Sequence, residues 1–155
     1  MILIIGGFSQ GKLSFAKDKF NVSEERIFDG MLPEKSEGTV IINNFNQVIK
    51  EIYKNVNFND EKFNDEKFNN EKFNNEKSNN EKYICEKNNA SDVVENWIKK
   101  NPDSIIISDE IGNGIIPINK EDREYREQVG RIQIMMAKQA KEVYRLTCGI
   151  AQKIK

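Results

Sequence analysis

The chain begins with an apolar run at residues 2–5, which passes directly into the glycine-rich segment 6–12. A short, wholly apolar run that stops at glycines is typical of a central parallel strand buried on both faces. A helix is predicted immediately afterwards, over Lys12–Phe20. This order of strand, glycine loop and helix favours folds in which helices cover a parallel sheet.

The rest of the chain continues the alternation of strands and helices. Apolar or β-branched runs predict strands at 26–28, 39–42, 105–107 and 143–147, and apolar residues three and four apart predict helices over 45–56 and 90–100. Ser91 is expected to cap the helix at 90–100. Asn119 is expected to cap a further, long helix whose apolar residues run from Tyr125 to Val143. The alternation predicts an α/β fold, a P-loop NTPase-like three-layer sandwich with a mainly parallel sheet, in one nucleotide-binding domain spanning residues 1–155.

A five-residue repeat interrupts this alternation at residues 58–87. It reads FNDEK twice, FNNEK twice and SNNEK once, and it ends in a drifted YICEK. Phenylalanines five residues apart rotate about 140° per step around a helix, so they form no continuous face. The abundance of Asn, Glu and Lys predicts a solvated, mobile low-complexity insertion. An aromatic array, or a charged helix ordered by a partner, stays open because of Phe58, Phe63, Phe68 and Phe73.

The glycine loop has the residue types of a phosphate-binding site. Glycines permit a tight turn in which successive backbone amides face phosphate oxygens, and a lysine at the helix start adds a positive charge. An ordinary strand-to-helix turn is the alternative interpretation. The predicted nucleotide-binding residues of this segment are Gly6, Gly7, Phe8, Ser9, Gln10, Gly11, Lys12, Leu13 and Ser14.

The residue after the lysine departs from the phosphate-loop pattern. The pattern has Ser or Thr there, whose hydroxyl ligates magnesium, whereas this chain has Leu13. Ser14 follows one residue later, which rotates its hydroxyl by about 100° around the helix. The sequence therefore predicts binding of ATP or GTP, leaves Mg²⁺ as an open cofactor, and identifies no metal ligands.

Two carboxylates follow the predicted strand at 105–107. Asp109 and Glu110 could hold a metal or orient a nucleophile, and with Lys12 they are the candidate catalytic residues. A purely structural role in the loop is an equal alternative. Arg123 and Arg126, together with Arg131, lie on the following helix and could neutralise phosphate, although such side chains are more often solvated or ion-paired.

Composition removes several function classes. The chain has no histidine, which excludes the commonest general base and the commonest metal ligand. Its formal net charge of -1 gives no field that would recruit nucleic acid or an acidic membrane. Two cysteines do not make a disulfide framework, and no apolar run approaches the length of a membrane span. A cytoplasmic protein without nucleic-acid or membrane partners is expected.

Several segments resemble the bifunctional adenosylcobinamide kinase and adenosylcobinamide-phosphate guanylyltransferase family. The most specific are SDEIGNGIIP at 108–117 and GRIQ at 130–133, which match family elements in the same order. MILIIGGFSQGKLSFA at the start and TVIINNF at 39–45 resemble the family's opening and central strand. The resemblance implies a nucleotide-binding α/β enzyme of cobalamin assembly, usually a homotrimer. Such enzymes phosphorylate adenosylcobinamide and then transfer GMP through a guanylylated histidine.

The chain departs from this family at positions that carry chemistry. Without histidine, the covalent guanylyl intermediate cannot form. Asn43 stands where the family usually has an acidic residue that contacts nucleotide, so it joins the predicted nucleotide-binding residues. The first hypothesis is a nucleotide-binding protein with adenosylcobinamide kinase activity. The alternatives are a non-catalytic, nucleotide-responsive or partner-binding relative, and an unrelated P-loop kinase of another small alcohol.

Overall fold

The centre of the protein is a single, mostly parallel β-sheet. The computed structural model describes residues 1–34, 36–55 and 90–155. The strands are β1 (Ile2–Gly6), β2 (Ile27–Asp29), β3 (Ile41–Asn43), β4 (Ile105–Asp109), β5 (Glu142–Thr147) and β6 (Ile150–Lys153). They lie in the order β2-β3-β4-β1-β5-β6. Every pairing is parallel except that of β5 with β6, which is antiparallel.

Helices cover both faces of this sheet. In the described residues they are α1 (Lys12–Phe20), α2 (45–55), α3 (Ala90–Lys100) and α4 (Lys120–Gln139), with a short 3-10 helix at Glu24–Arg26. Successive strand residues point to opposite faces, and the buried side chains divide accordingly. Leu3 packs in one cluster with residues of α2, α3 and α4, whereas Ile4 packs in a second cluster with Ala16 of α1. The predicted α/β fold with a mainly parallel sheet is confirmed.

The elements predicted from local pattern are present, with some boundary changes. β2 and β3 end one residue later than expected. The predicted cap of α4 is confirmed, since the Asn119 side chain accepts a hydrogen bond from the Glu121 backbone amide at 3.0 Å. Ser91 lies inside α3, which already includes Ala90, so its predicted capping role is wrong. Two predictions fall outside the described residues: the repeat insertion at 58–87, and residue 56 at the end of the helix predicted over 45–56.

The C-terminal end of the fold differs most from the prediction. The apolar spacing extended α4 toward Val143, but α4 ends at Gln139 and Ala140 takes an extended conformation. The next residue, Lys141, donates its backbone amide to the Met1 carbonyl at 2.9 Å, which starts the pairing of β5 with β1. β6 was not predicted. It follows a two-residue turn at Cys148 and Gly149 with φ of 51° and 78°, and cysteine is an unusual residue for such a turn.

No helix among the described residues combines the length and the apolar character that crossing a membrane requires.

Candidate functional site

The carboxyl ends of the central parallel strands meet the glycine loop in one cavity. In an open parallel sheet this edge is where ligands bind. The cavity has a volume of about 180 Å³. Its lining contains eight of the ten residues predicted to bind nucleotide, together with Asp109 and Asn44; the full set is Phe8, Ser9, Gln10, Gly11, Lys12, Leu13, Ser14, Asn43, Asn44 and Asp109. Gly6 and Gly7 form the approach to the loop and do not line the cavity.

The loop is fixed to its surroundings by its backbone. Gly11 has a φ of 76° and directly precedes α1, a left-handed conformation that glycine adopts without strain. Gly6 lies so close to β5 that an added Cβ atom would stand 2.6 Å from the Leu146 carbonyl oxygen. The Glu110 backbone amide donates to the Gly6 carbonyl at 3.0 Å. The Gln10 side-chain carbonyl accepts from the backbone amide of Cys148, so the β5–β6 turn also holds the loop.

Lys12 and Asp109 form a buried ion pair at the floor of the cavity. The Lys12 Nζ lies 2.6 Å from Asp109 Oδ1 and donates to the Gly7 carbonyl oxygen at 2.6 Å. Lys12 is only 7% exposed. Because a buried charge requires a partner, this pairing stabilises the ammonium group. The structure thus brings together two of the three predicted catalytic residues.

Glu110, the third predicted catalytic residue, points elsewhere. One of its carboxylate oxygens lies 3.1 Å from Nη2 of Arg145 on β5. The same oxygen, Oε2, accepts from the Asn113 side-chain amide at 3.3 Å. Glu110 therefore joins the end of β4 to β5, and in this arrangement it does not line the cavity.

Residues of α2 and α4 hold Asp109 by its backbone. Gln133 donates its side-chain amide to the Asp109 carbonyl at 2.9 Å and to the Ser108 hydroxyl at 3.0 Å. On the other side, the Asp109 backbone amide donates to the Asn46 side-chain carbonyl at 3.4 Å. The Tyr125 hydroxyl in turn donates to the Asn46 backbone carbonyl at 2.7 Å, and burial raises the pKa of Tyr125. These contacts keep the carboxylate of Asp109 aimed at Lys12.

The opposite wall of the cavity is made by two asparagines at the end of β3. Asn43 is the residue predicted from sequence, and Asn44 was not predicted. Both donate their side-chain amides to the same oxygen of Asp29, Oδ1, at 2.9 Å and 2.7 Å. Asp29 lies on the neighbouring strand β2, in register with Asn43. Asp29 was not predicted as a site residue, because the pairing of β2 with β3 is not encoded locally.

The three arginines of α4 do not reach the cavity. Arg131 is paired with Glu127, with 2.5 Å between Nη2 and Oε1. Arg123 donates to the carbonyls of Pro117 and Ile118 at 3.1 and 2.5 Å. Arg126 donates to three carbonyls of the preceding loop, those of Gly112, Gly114 and Ile115. Two arginines thus fix the loop at 112–118, whose isoleucines are turned outward: Ile115 is 96% exposed, Ile116 71% and Ile118 99%.

The donor set at the cavity does not make a protein-only metal centre. No group of three or more Cys, Asp or Glu side chains that could hold a metal occurs among the described residues. Leu13 offers no hydroxyl, and the Ser14 hydroxyl lies 3.5 Å from Asp18 Oδ2 on the helix surface. Asp109 is the one carboxylate in the cavity lining. Magnesium at this site would therefore be held mainly by phosphate oxygens and water.

A second, larger cavity adjoins the first. Its volume is about 480 Å³, and it shares Gly11 and Ser14 with the first cavity. Its other lining residues are Phe15, Asp18, Lys19 and Gly149. The two cavities therefore lie next to each other at the start of α1.

Comparison with known protein families gives a match. A family model described as cobinamide kinase / cobinamide phosphate guanyltransferase matches residues 34–154, more than three quarters of the chain. The glycine loop and Asp29 precede the matched range, whereas Asn43, Asp109 and Gln133 lie within it. No curated protein matches the chain.

Proposed function

The chain belongs to the cobinamide kinase / cobinamide phosphate guanyltransferase family, and on this premise we propose that it is a nucleotide-binding protein of cobalamin biosynthesis that phosphorylates a hydroxyl group of adenosylcobinamide. The observation that carries the proposal is the buried pair of Lys12 and Asp109, which lies 2.6 Å apart in a cavity bounded by the glycine loop. An ammonium group and a carboxylate at such a loop are the charges that phosphoryl transfer uses.

The fold also supports the more specific proposal that this is a P-loop NTPase-like domain. β1, the glycine loop and α1 follow one another as in a phosphate-binding loop, and Gly11 at the helix start is left-handed. ATP or GTP would place its phosphates at the loop and its nucleoside in the wider cavity beside Phe15 and Gly149. Magnesium would arrive with the nucleotide as part of the substrate.

The proposed step transfers the terminal phosphoryl group. Lys12 exchanges its contact with the Gly7 carbonyl for phosphate oxygens, which leaves the Asp109 carboxylate beside the reaction centre. The hydroxyl oxygen of the acceptor attacks the terminal phosphorus, and the bond from that phosphorus to the bridging oxygen breaks. The nucleoside diphosphate leaves, and the hydroxyl proton passes to Asp109. Positioning and charge neutralisation supply most of the catalysis in such a step.

Guanylyl transfer through a histidine is not part of the proposed activity. The sequence contains no histidine, so no side chain of this type is present to carry GMP. The kinase step needs no covalent intermediate and is unaffected by this absence.

A non-catalytic, nucleotide-responsive relative is the second candidate, and one observation favours it. Leu13 stands where the hydroxyl that ligates magnesium would be, and the hydroxyl of the next residue, Ser14, faces Asp18. Such a protein would bind ATP or GTP and change its affinity for a partner without turning over a corrinoid.

We further propose a homo-oligomer, a trimer by resemblance to the family. The exposed isoleucines at 115, 116 and 118 support it, because a loop fixed by Arg123 and Arg126 presents them together. Light scattering after size exclusion should give a multiple of the chain's 18.0 kDa. Replacing Ile115 and Ile118 by serine should lower that mass, while the same change at the isolated Ile154 should leave it unaltered.

The test of the function is a product analysis. Purified protein is incubated with adenosylcobinamide, Mg²⁺ and either ATP or GTP, and the mass of the corrinoid is measured. A phosphate adduct that disappears with Lys12→Ala is the expected result. Unmodified corrinoid, with nucleotide binding demonstrated in the same sample, would favour the non-catalytic candidate. A GMP adduct would contradict the argument from the missing histidine.

A further inference from the structure

Asp29 holds two residues of the cavity wall by hydrogen bonds but does not itself line the cavity. Its Oδ1 atom accepts a hydrogen bond from Nδ2 of Asn43 at 2.9 Å and from Nδ2 of Asn44 at 2.7 Å. Both asparagines line the cavity that also contains Lys12 and Asp109, whereas Asp29 does not. A single carboxylate oxygen therefore holds two amide groups of the cavity wall.

This arrangement fixes which end of each amide faces Asp29. A carboxylate only accepts hydrogen bonds, and an asparagine amide donates only through its nitrogen. Rotating either amide by 180° would place its carbonyl oxygen against the carboxylate, which is repulsive. The nitrogens of Asn43 and Asn44 must accordingly face Asp29, and their carbonyl oxygens face away from it. Within the described part of the chain, neither carbonyl oxygen, Oδ1, accepts a hydrogen bond.

The backbone around the two asparagines is also held. Asn43 ends β3, and its carbonyl accepts from the Gly30 amide at 3.0 Å. Asn44 has a φ of 53°, and its carbonyl accepts from the Gln47 amide at 2.8 Å in the first turn of α2. The backbone positions of both asparagines are thus fixed, so hydrogen bonding to Asp29 determines which atoms of their side-chain amides face the cavity.

We propose that Asp29 is a positioning residue for the acceptor: it orients Asn43 and Asn44 so that their carbonyl oxygens accept hydrogen bonds from the hydroxyl group that is phosphorylated. This inference rests on the proposed kinase function. The glycine loop follows β1 and the asparagines lie at the end of β3, and β4 with Asp109 lies between these strands. An alcohol held at the asparagines and a phosphate held at the loop would therefore flank Asp109. An amide oxygen does not remove the proton, which leaves that role to Asp109.

The test measures acceptor binding rather than turnover. Adenosylcobinamide is titrated by calorimetry into the wild-type protein and into Asp29→Ala, each saturated with a nucleotide whose β and γ phosphates are joined by an imido bridge. Asp29 is exposed, so the substitution creates no cavity in the core. Asp103→Ala is the matched control, since Asp103 is an exposed carboxylate whose contact is with Lys141 at 3.4 Å.

The expected result is acceptor affinity about tenfold weaker in Asp29→Ala, as for the loss of one or two neutral hydrogen bonds. Nucleotide affinity and melting temperature should stay near the wild-type values in both variants. In the wild type, acceptor binding should also shift the carbon-13 resonances of the two asparagine Cγ atoms.

Three different results would overturn the inference. If the wild type binds the acceptor and Asp29→Ala binds it within a factor of two, Asp29 does not position it, and the proposed function stands. If the wild type binds nucleotide but not adenosylcobinamide, the proposed acceptor is wrong, and this inference falls with it. A rise in acceptor affinity with unmoved Cγ resonances would likewise contradict the orientation argument.

Discussion

Gly6 is where the glycine loop leaves the sheet, and replacing it with alanine should destabilise the protein. Gly6 pairs in register with Leu146 of β5. A Cβ atom at Gly6 would lie 2.6 Å from the Leu146 carbonyl oxygen, whereas ordinary contacts begin near 3.4 Å. The obstructing atom belongs to the backbone of a strand paired on both sides, so it cannot rotate away as a side chain would.

The magnitude follows from this overlap. The local separation of β1 and β5 must grow by about 0.8 Å, and forcing an extra carbon into a packed interior costs about 1–3 kcal/mol. Gly6→Ala should lower the free energy of unfolding by that amount. It should also weaken nucleotide binding, because the Gly6 carbonyl accepts from the Glu110 amide at 3.0 Å and links the loop to the end of β4.

The same substitution elsewhere in the chain supplies the control. Gly130 lies in α4, and a Cβ atom there meets nothing within 4 Å. Gly130→Ala should therefore raise the free energy of unfolding by about 0.5–1 kcal/mol, the usual difference between alanine and glycine inside a helix. The two variants make the same chemical change and should shift stability in opposite directions.

Urea unfolding followed by the fluorescence of Trp97, the single tryptophan, measures both variants. Trp97 is 8% exposed and its indole donates to the Pro33 carbonyl at 2.6 Å, so its emission reports loss of the folded environment. Harmless surface substitutions usually change the free energy of unfolding by no more than about 0.5 kcal/mol. If Gly6→Ala changes it by no more than this, the contact argument is refuted.

Three further predictions concern the site and one distant tyrosine. Lys12→Ala should weaken ATP or GTP affinity about ten- to a hundredfold, as expected for a charged hydrogen bond, and unchanged affinity by calorimetry would exclude a phosphate contact. Asp109→Asn should retain nucleotide binding but slow corrinoid phosphorylation by about 100-fold or more, the contribution of a general base; a rate near wild type would remove Asp109 from the mechanism. The hydrogen bond from Tyr144 to Glu142, at 2.5 Å, raises the pKa of Tyr144 to about 12 from 10.0. Because the pKa of Tyr144 is higher in the folded than in the unfolded state, the hydrogen bond contributes fully to the free energy of unfolding below pH 10, and this contribution is lost as the pH rises toward 12. Tyr144→Phe should therefore reduce the fall in the free energy of unfolding between pH 9 and 12.

Local sequence signals predicted most of the elements and the loop. The apolar run at residues 2–5, the glycines that follow it, and Asn119 before α4 each act within a few residues, so a pattern in the sequence is enough to locate them. Local pattern and family resemblance together pointed to nine of the ten residues that line the cavity, all except Asn44. Where the local signal was weak or misleading, the prediction was wrong: α4 stops before Val143, and β6 follows a turn that contains cysteine.

The sequence by itself thus determined the α/β class, the glycine loop between β1 and α1, and the lack of any histidine, because these depend on residue types and short spacings. Only the tertiary structure decided the partners of the site residues. The order β2-β3-β4-β1-β5 brings Asp109 to Lys12, turns Glu110 toward Arg145, and sets Asp29 beside Asn43. Each of these contacts joins residues from separate segments of the chain that the sheet brings together, and strand order and register arise from packing of the whole sheet, which no local pattern contains.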